Sequence, residues 1–259
     1  MKELVTISTE NQTTVLLRYK RQPVDCSSVR APRRAESCPA QVFINAKYSW
    51  QKLEQLLAAN IRPGDILGVL TYDDEHLPGC RRDVQQDFSY FSRKLRGLYR
   101  SNELLDPPLI WCMEQSHGDN VHEGRRWHTH FAIRAQGSDF ERIRRCWSKG
   151  LVLLAHFDYD CDKWTSELGI RTKILSTTGR GYEPLARYMC KEAQERIGQR
   201  TWSYSRSCRK PEIDRVMVED GHRLLLPEGC LLIKSQSDST GTEFLKYVVP
   251  TVRAPSQRR

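Results

Sequence analysis

The segment WHTHFAIR, residues 127–134, gives the clearest indication of the fold, because its alternation is typical of a β-strand with two different faces. Alternate side chains of a strand point to the same face, so His128 and His130 project side by side. Thr129, Phe131 and Ile133 then point to the other face, where we expect helices to cover them. The spacing of the two imidazoles suits a shared metal ion, and a surface His-x-His pair without a ligand role is the alternative.

A second strand, LIWCME at 109–114, precedes this segment and is joined to it by the polar loop SHGDNVHEGRR. We expect the two strands to form a hairpin. Glu114 has the opposite alternation from Trp111 and Met113, so a paired hairpin can place its carboxylate beside the two histidines. Two imidazoles and one carboxylate leave coordination positions open, as a catalytic metal site requires.

On both sides of the hairpin, the hydrophobic pattern predicts helices and further strands in alternation. The predicted helices are 48–60, 84–99, 139–147 and 183–197, and the further strands are 66–72, 151–157 and 170–175. This order predicts an α+β fold with a central, mainly antiparallel sheet and helices packed on one face. Short strands are also predicted at 215–218, 223–226 and 231–234.

The chain is expected to have three regions. Residues 1–46 are predicted to be an irregular basic arm, since prolines interrupt a segment in which basic residues outnumber acidic ones. Residues 47–212 are predicted to form the catalytic domain. Residues 213–259 are predicted to form a C-terminal extension that ends in a basic tail.

A formal net charge of +9 over 259 residues makes an anionic partner the first to consider. Basic residues and aromatic rings alternate after residue 186, in a pattern that fits phosphates and unpaired bases of a single strand. The candidate nucleic-acid contacts are Arg187, Arg196, Arg200, Trp202, Tyr204 and Arg206. A solvated, charged helix end is the alternative interpretation.

The nine cysteines are scattered and never spaced as C-x-x-C, which argues against a zinc ribbon or a disulfide framework. We expect reduced thiols, most of them buried. No stretch has the length and apolar character of a membrane span, and no signal peptide is recognised at the N-terminus. The expected location is therefore the cytoplasm, with no membrane partner.

Tyr188 and Lys191 are spaced three residues apart in the predicted helix 183–197, which puts them on one helix face. A nearby ammonium stabilises a phenolate, and such a tyrosine can attack a phosphodiester. The same ammonium can neutralise charge on the phosphorus in the transition state. A boundary tyrosine beside a solvated lysine is the alternative.

Three of these segments, in this order, resemble the motifs of rolling-circle replication initiators of the HUH endonuclease superfamily, found in small phages, plasmids and mobile elements. They are ILGVLTYDDEHLP at 66–78, WHTHFAI at 127–133 and LARYMCKE at 185–192, and TWSYSRSCRKPE at 201–212 is also similar. The resemblance covers about 47–212. Thr129 departs from the hydrophobic residue that the motif name expects between the histidines.

The resemblance implies a ferredoxin-like catalytic fold and a definite chemistry. Tyr188 would be the nucleophile, Lys191 would assist it, and His128, His130 and Glu114 would bind Mg²⁺ or Mn²⁺. The enzyme would nick one DNA strand at an origin, form a 5′-phosphotyrosine link and release a 3′-hydroxyl. Pro184 and Glu192 occupy the positions four residues from Tyr188, so the site would be of the single-tyrosine type.

The same resemblance implies single-stranded origin DNA as the partner, in the cytoplasm of a bacterial host of a phage or mobile element. No GxxxxGK[ST] segment is present, so we expect a host helicase to unwind the DNA and a host polymerase to extend it. Tyr72, Asp73, Asp74 and His76 lie in the turn of the first motif. They can contact metal or DNA, or they can cap and solvate a turn.

Two other functions stay open on the sequence. One is a transposase or conjugative relaxase of the same superfamily, although a tyrosine that follows the histidines favours replication initiation. The other is a basic DNA-binding regulator that has no catalytic activity.

Overall fold

The fold is described from a computed structural model, which covers residues 1–19, 39–102, 104–116, 126–136, 140–157, 181–191 and 201–249. The chain divides into two units. One is formed by Ser37–Arg209, and the other by Met1–Glu36 together with Lys210–Arg259. The predicted strand 170–175 and residues 192–197 of the predicted helix lie outside the described residues.

The unit Ser37–Arg209 is built on one five-stranded sheet with the order β6-β3-β5-β4-β7. Every neighbouring pair in it is antiparallel. The strands are β3 (Ile66–Thr71), β4 (Leu109–Ser116), β5 (Arg126–Ile133), β6 (Val152–His156) and β7 (Trp202–Tyr204). The predicted α+β fold with a central antiparallel sheet is thus confirmed, and β5 lies at the middle of the sheet.

Helices contribute to two separate cores, which contain side chains from opposite faces of this sheet. One core joins Leu70 and Phe131 to α2 (Arg81–Ser101) and α3 (Phe140–Arg144). The other joins Leu67 and Ala132 to α1 (Pro39–Asn60) and α4 (Glu183–Met189). The prediction that helices pack on one face is therefore wrong. Both alternating sets of side chains in β3 are largely apolar, and such a strand is buried on both faces.

Helix α2 is strongly amphipathic, and its apolar side contributes to one of these cores. Its buried side chains are Val84, Phe88, Phe91, Leu95 and Tyr99. At its start the Asp83 carboxylate accepts a hydrogen bond from the backbone N–H of Cys80, which satisfies a donor at the helix end. The opposite side presents basic residues to solvent, among them Arg93, Arg96 and Arg100.

The ends of two helices differ from the prediction. Helix α1 begins at Pro39, nine residues before the predicted start at Tyr48, since proline is well tolerated in a first helical turn. Helix α4 ends at Met189, where the backbone N–H of Cys190 bonds to the carbonyls of Arg187 and Tyr188. Lys191 therefore follows the α-helix and does not belong to it.

The other unit contains a second five-stranded antiparallel sheet with the order β8-β1-β2-β10-β9. Its strands are β1 (Lys2–Ser8), β2 (Thr13–Tyr19), β8 (Glu212–Val218), β9 (Leu231–Ser237) and β10 (Glu243–Val248). The predicted strands 215–218 and 231–234 fall within β8 and β9. The segment 223–226 is not a strand.

The prediction of an irregular arm is wrong for residues 2–19, which form β1 and β2. These short strands depend on partners far along the chain, because Ser8 pairs with Glu212 and Leu17 with Glu243. Residues 20–38 and 250–259, which carry much of the predicted basic arm and tail, lie outside the described residues. Within the described part of the chain, no helix has the length and apolar character needed to cross a bilayer.

Candidate metal centre and the groove beside it

The hairpin of β4 and β5 places the three predicted ligands together. In its register Glu114 faces His128 and Cys112 faces His130. The Glu114 Oε2 atom lies 3.3 Å from Nε2 of His128 and 3.2 Å from Nε2 of His130. One ligand atom from each residue can be chosen so that all lie within 4.8 Å of one another, and this group could hold a metal ion.

Burial makes this group chemically unusual. The exposed fraction of the side chain is 3% for Glu114, 8% for His130 and 13% for His128. Glu114 Oε2 and His130 Nε2 are both buried, and apart from the ion-pair contacts among Glu114, His128, His130 and Lys191, neither atom has a hydrogen bond of good geometry within the described residues. Buried polar atoms without such partners are rare, and a shared cation would satisfy both. The residues present therefore fit a metal ion.

The side chains of Tyr188, in α4, and of Lys191, just after this helix, lie beside the same Glu-His-His group. The Lys191 Nζ atom lies 2.9 Å from Glu114 Oε2 and 4.5 Å from the centre of the Tyr188 ring. The Tyr188 ring stands edge to face against His130, with centres 4.9 Å apart. The structure thus brings together all five residues that the sequence predicted for metal binding and nucleophilic attack.

The pKa values in this group reflect a balance of burial and charge. Burial raises the pKa of Glu114, but His128, His130 and Lys191 outweigh it and hold this pKa far below its usual range. Burial lowers the pKa of His130, so its imidazole favours the neutral form that binds metals. Burial raises the pKa of Tyr188, and the Lys191 ammonium opposes that rise.

The turn after β3 borders the group, and its polar residues are mostly engaged with one another. The Asp73 carboxylate accepts a hydrogen bond from the backbone N–H of His76 and lies 2.6 Å from Nδ1 of the same residue. The His76 ring lowers the pKa of Asp73. Asp74 pairs with Arg126 at 2.6 Å. Asp73 caps the short helix in this turn, which is one of the two roles that the sequence left open, and Tyr72 is buried edge to face against Trp147, with ring centres 5.2 Å apart.

Gly150 allows this turn and the start of β6 to lie in close contact. Its φ angle is +153°, and a β-carbon there would lie against the backbone of Thr71, Tyr72 and Asp73. Only glycine allows this close approach of two backbones. The tight contact holds the turn after β3 against the start of β6.

A groove of about 1040 Å³ opens over the candidate metal group. Its lining combines three kinds of residue: the histidines with Tyr188 and Lys191, the charged turn with Arg126, and apolar side chains of β3 and β6. The apolar members are Val69 of β3, Leu153 of β6 and Leu151, which directly precedes β6. The site is therefore open on the side of β3 and β6.

Of the predicted nucleic-acid contacts, those that the structure describes do not line this groove. Arg187 is held by Glu183 at 2.8 Å and lies over the Trp50 ring at 4.1 Å. Trp202 and Tyr204 are half-buried on β7 and pack on the core with α1 and α4.

The Trp202 indole N–H donates to Ser49 Oγ at 3.0 Å, and its ring lines a separate cavity of about 710 Å³. Arg206 is exposed. Arg196 and Arg200 lie outside the described residues.

Several residues beside the candidate metal group or in the groove escaped the sequence reasoning. Cys112 Sγ lies 3.9 Å from Glu114 Oε1, and Arg126 lines the groove two residues before His128. Strict alternation along β4 and β5 could have found Cys112, which has the same parity as Glu114. Leu151 and Leu153 had no such signal, because they belong to an apolar run whose exposed face the sequence does not mark.

No protein-family model, curated protein or solved structure matches this chain.

Proposed function

We propose that this protein is a metal-dependent endonuclease that nicks one DNA strand through a tyrosine-linked intermediate and rejoins it, and that it initiates rolling-circle replication. One observation carries the proposal. A tyrosine, a lysine and a buried Glu-His-His group converge at one point, with Lys191 Nζ 2.9 Å from Glu114 and the Tyr188 ring 4.9 Å from that of His130.

Glu114, His128 and His130 are the residues that would hold the divalent ion, Mg²⁺ or Mn²⁺. When bound, such an ion would act as a Lewis acid on a phosphate oxygen. Mg²⁺ prefers an all-oxygen shell, and imidazole nitrogens bind transition-metal ions more readily, so of these two ions the donor set favours Mn²⁺. A bound ion would also satisfy the buried Glu114 and His130 atoms.

In the proposed step, the Tyr188 hydroxyl oxygen attacks the phosphorus of the scissile phosphodiester. A phosphorus–oxygen bond to Tyr188 forms, and the bond from phosphorus to the 3′ oxygen breaks. The phenolic proton passes to solvent, and the departing 3′ oxygen takes up a proton to become a hydroxyl. Lys191 lies where its ammonium can stabilise both the phenolate and the charge that develops on the phosphate.

Rejoining is the reverse reaction. The 3′ hydroxyl attacks the phosphotyrosine, the bond to Tyr188 breaks, and the tyrosine recovers its proton. The phosphodiester bond energy is kept in the protein–DNA link, so the reaction needs neither ATP nor an organic cofactor. The order of the motifs, with the tyrosine after the histidines, supports replication initiation over relaxase activity.

The test uses a pool of random-sequence single-stranded oligonucleotides, labelled near the 3′ end, with Mn²⁺ or with EDTA. We expect a covalent protein–DNA adduct that survives denaturation only in the Mn²⁺ sample. Peptide mapping should place the adduct on Tyr188, and sequencing of the attached DNA should identify the target. DNA binding without an adduct under any divalent ion would instead support a non-catalytic regulator.

A further inference from the structure

Leu153 of β6 and Leu151, the residue just before this strand, are far more exposed than leucines at a sheet usually are. Leu151 is 70% exposed and Leu153 is 46% exposed. Their neighbours Val152 and Leu154 point to the other face and are buried in the core with α2. Strand β6 thus has one buried apolar face and one apolar face open to solvent, which is uncommon outside binding surfaces.

The register connects this open face to the candidate metal group. Val69 of β3 pairs with Leu153 on one side and with His130 on the other, so the three side chains share a row across one face. Adjacent strands lie about 4.8 Å apart, which puts Leu153 about 10 Å from His130. Val69, Leu151 and Leu153 form an apolar shelf that lines the same groove as Tyr188 and Lys191.

The charges around the shelf are mixed. Lys191 and Arg126 are cationic, whereas Asp73 and Asp74 are acidic and already face His76 and Arg126. An occupant of this groove must place an anionic group at the Lys191 side and an apolar surface on the shelf. A nucleotide has both parts, because its charged phosphate and its flat base lie a short distance apart.

We infer that the apolar shelf binds an unpaired base next to the phosphate that Tyr188 attacks, and so positions the strand for cutting. The inference rests on the proposed function, which places the scissile phosphate at the Glu-His-His group. The three shelf side chains have no hydrogen-bonding groups, so they hold a base by its face and do not read its edge. The shelf therefore positions the DNA strand and contributes little base specificity.

The test separates contacts to bases from contacts to phosphates. An oligothymidylate of about fifteen nucleotides is compared with a backbone of the same length that has no bases, because both probes carry the same charge. Fluorescence anisotropy measures the Kd of each probe for the full chain. The variant is Leu151→Ser with Leu153→Ser, and the control is Leu105→Ser, an 83% exposed leucine outside the groove.

We expect the wild-type protein and Leu105→Ser to prefer the thymidylate by the same factor. The double variant should lose about tenfold of that preference, since contact with one base is worth this much, and its Kd for the base-free backbone should not change. Equal weakening of both probes, or no change with either, would overturn the inference. Unchanged thermal unfolding of the double variant would show that its fold is intact.

Three further outcomes show whether the inference, the proposed function or both have failed. If light scattering shows that the wild-type protein self-associates through the shelf, the double variant will become monomeric without a change in base preference, and the inference is then wrong. If the double variant loses base preference but the wild-type protein forms no adduct, then the shelf binds bases and the nicking proposal fails. If the wild-type protein binds neither probe, both are overturned.

Discussion

Two tyrosine–lysine pairs in the same unit show what turns a common contact into a candidate site. Lys94 Nζ lies 4.6 Å from the ring centre of Tyr90 on α2, and Lys191 Nζ lies 4.5 Å from that of Tyr188. The two contacts have almost the same distance and the same chemistry. Tyr90 is 50% exposed on the basic side of α2, whereas Tyr188 is half-buried against His130.

The surroundings of the two pairs account for the difference. Arg93 also lies over Tyr90, at 5.3 Å, so that tyrosine has cations beside it on the helix surface. Tyr188 has the Glu114, His128 and His130 group beside it. In the portion of the chain that the structure describes, this is the only cluster of three or more such side chains that could hold a metal ion. A tyrosine beside a lysine is therefore a weak signal until a group that could hold a metal ion accompanies it.

The largest expected difference between the pairs is in covalent chemistry. Tyr188→Phe should lower adduct formation by more than about 10³-fold, because it removes the attacking oxygen and leaves the ring packing. Tyr90→Phe should leave the rate unchanged. Denaturing gels of labelled single-stranded DNA with Mn²⁺ measure both rates. An adduct that persists at the wild-type rate in Tyr188→Phe would remove Tyr188 from the mechanism.

The next largest effect concerns metal binding. Replacing His128 and His130 together by Ala should weaken Mn²⁺ binding by at least about 10²-fold, since two of three ligands are lost. His156→Ala is the matched control, because His156 lies at the end of β6 and bonds to the Gly64 carbonyl. Titration of free Mn²⁺ by electron paramagnetic resonance measures the affinity. Equal affinities in the two variants would place the ion elsewhere.

Lys191 should affect cleavage and metal binding in opposite directions. Lys191→Met should slow cleavage about 10²-fold, because it removes charge stabilisation from the reacting phosphate. It should also tighten Mn²⁺ binding about fivefold, or about 1 kcal/mol, since the half-exposed ammonium near Glu114 no longer repels the ion. Lys94→Met should change neither quantity. Weaker Mn²⁺ binding in Lys191→Met would contradict this assignment of Lys191.

The smallest expected effect is on the free energy of unfolding, and it compares a glycine near each tyrosine–lysine pair. Gly150→Ala should lower the free energy of unfolding by about 2 kcal/mol, because the new methyl group meets the backbone of Thr71 and Tyr72. Gly97→Ala, in the open helix that carries Tyr90, should raise it by about 0.5–1 kcal/mol. Urea unfolding of both variants measures these opposite signs. Stabilisation by Gly150→Ala would mean that the turn after β3 can move away.

Local periodicity predicted the parts of the site that lie within one hairpin. The alternation of WHTHFAIR and LIWCME was enough to place Glu114 beside His128 and His130, because pairing of neighbouring strands follows from a short loop. Helix α2 was predictable for the same reason, since its five buried side chains repeat at helical spacing. The sequence did not show that helices cover both faces of the sheet. An apolar strand such as β3 does not reveal by itself what packs on each of its faces.

Features that depend on distant partners were missed. Strands β1, β2 and β10 carry weak signals of their own, and their pairing joins residues about 200 positions apart. The end of α4 at Met189 also had no signal, since the following residues KEAQERI favour a helix. The apolar shelf was missed because a run of apolar residues does not reveal which of its faces another element covers.

The sheet that joins β1 and β2 to β8 and β10 has a consequence for synthesis of the protein. The first two strands leave the ribosome long before their partners exist. At about 5–20 residues per second, the delay between Ser8 and Glu212 is roughly 10–40 s. During that time β1 and β2 have unpaired edges, whereas the continuous unit Ser37–Arg209 can fold as it emerges. Translation must therefore reach β10 before the second sheet can form.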